Sequence, residues 1–272
     1  MHRVSATVKR AVPVYCSKVK LPPLALAYHG LFEMPLRDDP HHFFVRPSDL
    51  KAQIRRLRAW GYSLVTFGEL VRRTRLGEAT GAAVLTFDDG LVDVVETLLP
   101  VLESEGAVAT VFVVSGWLGK PHPDAPSRRI INEDELRRLA GSEAVEIGAH
   151  TVTHPNLCTL PYEDAVRELR ESKEALEQIG GTAVEVAAYP YGAANAETRR
   201  ACREVGFTGA CRTSGEGSWS DPYDLPRQTM ENRASLLGLR LKRAGRYEQL
   251  MRYKAFRLVR KTSRRLHELR EQ

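Results

Sequence analysis

The chain has 272 residues, 27% of them charged and 43% hydrophobic, with 20 glycines, 15 prolines and four cysteines. At about 150 residues per domain, that length suits one large α/β domain or two small ones, and the ordinary apolar content excludes a disordered, collagenous or coiled-coil chain. The net charge of +6 is uneven: +5 over residues 1–20, −8 over 21–235 and +9 over 236–272, so a mildly acidic body lies between two basic ends.

Those charge steps divide the chain into a basic N-terminal extension (1–20), a body (21–235) and a basic helical tail (236–272). Lys18-Val19-Lys20 followed by Leu21 to Tyr28 is a poor export signal, because its apolar stretch is short and carries Pro22 and Pro23. The most apolar run, Ala107 to Val114, falls far short of the roughly 20 residues of a membrane span. Cys16, Cys158, Cys202 and Cys211 are irregularly spaced, neither a disulfide framework nor a zinc ribbon, which favours a reducing compartment. The expectation is a cytoplasmic protein.

Leu24 to Tyr28 reads as a short buried strand. Ser48 is the expected N-cap of a helix carrying Leu50, Ile54 and Leu57 on one face and ending before Gly61. Tyr62 to Val65 is the next strand, and Thr66 with Glu69 forms a capping-box signal. Ala82 to Phe87 is a third strand, followed by Asp88-Asp89-Gly90 and a helix from Val92 to Ser104. Ala107 to Val114, rich in β-branched residues, is a fourth strand, and Asn132 with Glu135 caps a short helix. Ala144 to Gly148 is a strand running into His150, and a long helix over Tyr162 to Ile179 stops at Gly180-Gly181. Ala183 to Tyr189 is a strand, Asn195 caps a helix to Val205, Phe207 to Cys211 is a strand, and a last one lies near Leu225 to Thr229.

Seven or eight strands alternating with helices predict a parallel sheet, and that number of βα units suits a closed barrel better than an open sheet. Neither a dinucleotide-binding glycine fingerprint nor a phosphate-binding loop is present. In the tail, Met251, Ala255, Leu258, Leu266 and Leu269 fall near one helical face among seven lysines and arginines between Arg252 and Arg265. That is the pattern of an interfacial amphipathic helix, so an anionic membrane surface is a candidate partner; the alternative is a solvated helix docked on the barrel or on a second subunit. Nucleic acid is not expected, since the body carries no basic stripe.

Residues just after the strands of a βα barrel share its C-terminal face. Here they are His29, Asp88 and Asp89, His150 and His154, and Pro190-Tyr191-Gly192. His150-Thr-Val-Thr-His154 has a spacing that lets two imidazoles reach one cation, and a carboxylate would complete three ligands with an open position, the catalytic arrangement for zinc. Adjacent carboxylates repel, so at a buried strand end Asp88 and Asp89 are best tolerated if a cation separates their roles; the plainer alternative is a turn that caps the next helix. Trp117 and Trp219 lie on loops, where each either stacks on a ligand or packs, while Trp60 is expected in the core and Cys158 as a small buried side chain.

Thr86-Phe87-Asp88-Asp89-Gly90, His150-Thr151-Val152-Thr153-His154 and Tyr189-Pro190-Tyr191-Gly192 resemble successive motifs of the polysaccharide deacetylase (NodB-homology) family, with Tyr28-His29-Gly30 and Leu225-Pro226-Arg227 resembling further segments. The resemblance spans about residues 24–230. It implies a distorted (β/α) barrel and a metal-dependent deacetylase of amino sugars. Asp89, His150 and His154 would hold a divalent metal such as zinc, Asp88 would be the general base, and the backbone N–H of Tyr191 would help bind the oxyanion. The chain departs from the family pattern twice. Ala188 stands where the family has an arginine holding the catalytic aspartate, and the late Leu-x-His motif that supplies the acid is absent. Arg227 and His29 are the expected substitutes. The substrate expected is an N-acetylated sugar of a polysaccharide, oligosaccharide, or lipid- or nucleotide-linked glycan. A deformylase or non-sugar amide hydrolase on the same barrel, and a non-catalytic carbohydrate-binding module, remain alternatives.

Overall fold

The computed structural model describes residues 21–35, 39–213, 215–231 and 236–245. The N-terminal extension and most of the basic tail, including the amphipathic pattern from Met251 onward, lie outside the described residues. Among the described residues no helix is long and apolar enough to cross a membrane.

Eight parallel strands form the barrel: β1 (Leu24–Tyr28), β2 (Ser63–Leu64), β3 (Ala82–Phe87), β4 (Ala109–Val113), β5 (Val145–Ala149), β6 (Val186–Ala188), β7 (Gly209–Cys211) and β8 (Gln228–Thr229). Seven of them run in the order β7-β6-β5-β4-β3-β1-β8, and β2 pairs with the start of β3. The segment leading into β8 brings the two ends together. Leu225 bridges to Cys211 at one edge, and Gln228 pairs with Leu26 at the other. The expected distorted (β/α) barrel is what the chain forms.

Residue alternation along the strands sorts side chains between two cores. Leu24, Leu26, Leu85, Val111 and Ile147 pack outward against helices α1 (Pro47–Ala59), α4 (Glu133–Ala140), α5 (Tyr162–Gly180) and α6 (Ala196–Val205). Ala25, Val84, Phe112, Val186, Ala188 and Cys211 point inward onto Phe67, Leu70 and Val71 of α2 (Phe67–Arg75), which plugs one end of the barrel. The interior is narrow: a Cβ on Gly148 would stand 2.4 Å from the Phe112 ring, and one on Gly209 would stand 2.5 Å from Val71.

Most helix boundaries follow the predicted caps. Asn132 with Glu135, and Asn195 with Thr198, form reciprocal capping boxes, and Gly181 ends α5 in the left-handed conformation. Two expectations need correction. Ser48 is not an N-cap: the helix begins at Pro47, whose missing N–H and fixed φ suit the first turn, with Arg46 before it. The helix expected from Val92 to Ser104 is a π-type turn over Val94–Leu98 followed by α3 (Leu99–Glu105); Pro100 has no N–H to give to Glu96, which removes one α-type bond.

Candidate active site

Asp88 and Asp89 follow the buried strand β3 directly. Asp89 is held at φ 69° and Gly90 at 83°, and the Gly90 N–H donates to the Asp88 carbonyl at 2.9 Å, a tight turn directly after the strand. Of five non-glycine residues with positive φ among those described, four lie here: Asp89, Thr151, His154 and Tyr191. Backbone strain of about 1–3 kcal/mol per such residue persists where surroundings over-determine it. At the His150–His154 turn the restraint is visible. Thr151 Oγ1 accepts the His154 N–H at 3.0 Å, and Glu168 of α5 accepts the N–H groups of Val152 and Thr153 at 2.8 and 2.9 Å and the Thr153 hydroxyl at 2.6 Å.

A carboxylate oxygen of Asp89 and one ring nitrogen each of His150 and His154 offer ligand atoms, all within 4.8 Å of one another. Asp89 Oδ1 lies 3.6 Å from His150 Nε2 and 3.7 Å from His154 Nε2, is buried, and has no hydrogen-bond partner. A buried, unpartnered carboxylate oxygen between two imidazole nitrogens is costly without a cation, and the donor set is that of a three-ligand catalytic metal site. His150 Nδ1–H donates to the carbonyl of Ala188 at 2.8 Å, which leaves the Nε2 lone pair facing Asp89. Burial and the neighbouring His150 hold His154 down to about 4, against the opposing pull of Asp89 and Asp88, so its ring is neutral near pH 7.

Asp88 faces a different partner. Arg227, wholly buried in the barrel, meets it with both fork nitrogens, Nη1 to Oδ1 at 2.6 Å and Nη2 to Oδ2 at 2.8 Å. Nη1 also donates to Thr86 Oγ1 at 2.7 Å and Nε to the Arg212 carbonyl at 2.9 Å, while the guanidinium lies over the Phe112 ring. Burial alone would raise the Asp88 carboxyl, but Arg227, His150 and His29 together hold it below its ordinary value. It is therefore ionised at neutral pH.

His29 directly follows β1 and stacks on Phe43 with centroids 4.6 Å apart. The Tyr191 ring is 69% exposed and sits 4.8 Å from that of His154; Trp117 lies 5.2 Å from His154 on another side. Trp219, by contrast, packs against the inner cluster with Leu225, and Trp60 lies under Arg243 at the edge of the outer core. Cys158, Cys202 and Cys211 are free thiols, none of them among the ligand atoms.

His122 escaped the sequence reading. It lies on a short hairpin, Pro121–His122 with Ala125–Arg129, in a stretch assigned no element, and its Nε2 is 3.1 Å from Asp89 Oδ2. A single histidine between two prolines carries no spacing signal that would have found it.

Residues 77–210 match the family model described as polysaccharide deacetylase. That window contains Asp88, Asp89, His150, His154 and Tyr191, whereas His29 and Arg227 lie outside it. The chain is 25% identical over 205 residues to YxkH of Bacillus subtilis (strain 168), covering 75% of this chain and 66% of that one. It is 31% identical over 139 residues to the chitooligosaccharide deacetylase of Rhizobium leguminosarum bv. trifolii, covering 51% and 59%. The chain thus spans less than two thirds of these relatives' length. Among solved structures, the Streptococcus pyogenes deacetylase PplD in complex with acetate has the same fold, with a TM-score of 0.71 at 21% identity over 82% of this chain and 98% of that one.

Proposed function

We propose that this chain, whose residues 77–210 belong to the polysaccharide deacetylase family, is a metal-dependent hydrolase that removes the N-acetyl group from an amino sugar. The observation that carries the reading is a carboxylate kept ionised by Arg227 beside a second carboxylate whose free oxygen faces two histidines.

Asp89, His150 and His154 would hold a divalent ion, with zinc the first choice for this donor set. When bound, the ion supplies Lewis-acid polarisation of the acetyl carbonyl and acidifies water. Asp88 takes the proton of the attacking water, and Arg227 keeps both its oxygens in place. The Tyr191 N–H stabilises the oxyanion as the carbonyl carbon becomes tetrahedral. His29 gives a proton to the departing nitrogen, so the carbon–nitrogen bond breaks to acetate and the free amine. Trp117 and the exposed Tyr191 ring offer apolar faces against which a sugar ring packs. The basic ends of the chain favour an anionic membrane surface as a site of action, and we extend the proposal to a cytoplasmic location with a lipid- or nucleotide-linked glycan as substrate.

The test is acetate release from N-acetylated chitooligosaccharides and other acetylated glycans. Chelation should abolish release and added divalent metal restore it. Asp88→Asn should lower the rate about 10²–10⁴-fold, the range for loss of a general base. Turnover of formylated sugars or cyclic amides by metal-loaded protein that leaves every acetylated glycan intact would move the activity to a deformylase or non-sugar amide hydrolase. Asp88→Asn retaining full acetate release would remove Asp88 from the chemistry.

A further inference from the structure

We infer that His122 is a positioning residue that makes Asp89 a one-oxygen ligand. The inference rests on the metal-site reading above and concerns how that site is built.

His122 is buried and packed edge-on against Phe43 and Trp117, with ring centroids 5.8 and 5.5 Å away. The Asp124 N–H donates to its Nδ1 at 3.1 Å, so Nδ1 keeps its lone pair and the ring proton sits on Nε2. That proton can only be donated, and the acceptor is Asp89 Oδ2 at 3.1 Å. With a proton on the nitrogen facing the site, His122 is not a metal ligand. Its donation occupies one Asp89 oxygen and fixes the carboxylate plane, so that Oδ1, which has no hydrogen-bond partner, is the oxygen turned toward His150 and His154.

The hairpin that carries His122 is stitched to the residues just after Asp89. The Ile131 N–H donates to the Gly90 carbonyl and the Val92 N–H to the Arg129 carbonyl, both at 2.9 Å. Arg128 pairs with the buried carboxylate of Asp93. The donor and the carboxylate it holds therefore move as one unit. Partners that orient metal ligands in this way are typically worth about 10–100-fold in metal affinity.

The experiment is a cobalt(II) titration of the metal-free full chain, read by the visible absorption of bound cobalt and by competition with a chelating dye. His122→Gln places an amide N–H2 near the position of Nε2; His122→Met has similar length and no donor. The Met variant is expected to weaken cobalt binding about 10–100-fold and to alter the band shape as Asp89 turns, while the Gln variant stays within about threefold of wild type with the wild-type spectrum. Metal-free melting temperatures of the two variants should match. His122→Phe serves as a second donor-free side chain. Equal affinity and spectrum in a donor-free variant, a Gln variant as weak as Met, or collapse of the fold in both donor-free variants would overturn the assignment. Failure of the wild-type chain to bind cobalt, or undiminished binding by His150→Ala, would instead sink the metal-site reading itself.

Discussion

Arg227 and Asp88 form a fully buried ion pair, 139 residues apart in sequence, whose worth is best seen by removing one member. Arg227→Ala leaves a carboxylate without its counter-charge and should destabilise the fold by about 3–5 kcal/mol, measured by chemical denaturation. Arg227→Lys keeps the charge but loses the fork, so it should retain most of the stability while lowering kcat more than it changes KM. A Lys variant with an unaltered kcat would show that the planar clamp on Asp88 has no part in catalysis. At this scale the sequence was most informative where residues are neighbours. Asp88-Asp89 and His150-x3-His154 are visible as local patterns. Arg227 was legible only through its place on the last expected strand, near Leu225 to Thr229, in answer to the missing arginine at position 188. That position contributes in another way, because the Ala188 carbonyl orients His150. His122 was not legible, since its role depends on a hairpin fold-back that brings it to a partner 33 residues away.

Helix α2 illustrates how an element on the far end of the barrel is fixed. Thr66 caps it by accepting the Glu69 N–H, but the reciprocal half of the predicted capping box is not what Glu69 does: its carboxylate pairs with Arg72 and Arg73 on the next turn. Those hydrogen bonds hold the Glu69 carboxyl down to about 2. A lowered value means the stabilisation is complete above the ordinary carboxylate range near 4.3 and fades as pH falls toward 2. Glu69 is partly exposed, so the pair is worth no more than about 1 kcal/mol. Glu69→Gln should therefore lower Tm by about 2–4 °C at most above pH 5, with the gap to wild type narrowing as pH falls toward 3. A gap that widens on acidification would contradict the assignment. Most helix starts and stops, Ser48 and Val92 excepted, were legible because caps act within three or four residues. The π-type turn and the short hairpin were not, because tertiary contacts rather than local propensity decide them.

At the scale of the molecule, alternation of strands and helices sufficed to indicate a barrel, since each buried apolar run needs a helix to cover it. Sequence could not show how the ring closes, because Leu225–Thr229 is short and pairs with β7 at one end and β1 at the other. The uneven charge leads to the remaining expectation. The full chain should bind vesicles containing about 30% anionic lipid at low salt, lose them as screening rises, and ignore neutral vesicles; binding that is indifferent to lipid charge would rule out an electrostatic contribution from the basic ends.

The segment that closes the ring, Leu225 to Thr229, also carries Arg227, and this sets an order of events during synthesis. Until residue 227 has emerged and docked, Asp88 has no buried counter-ion and the barrel has a gap between β7 and β1, so on the proposed reading a nascent chain that already holds Asp89, His150 and His154 should release no acetate. Ring closure and the pairing of Asp88 thus depend on one short segment near the end of the body.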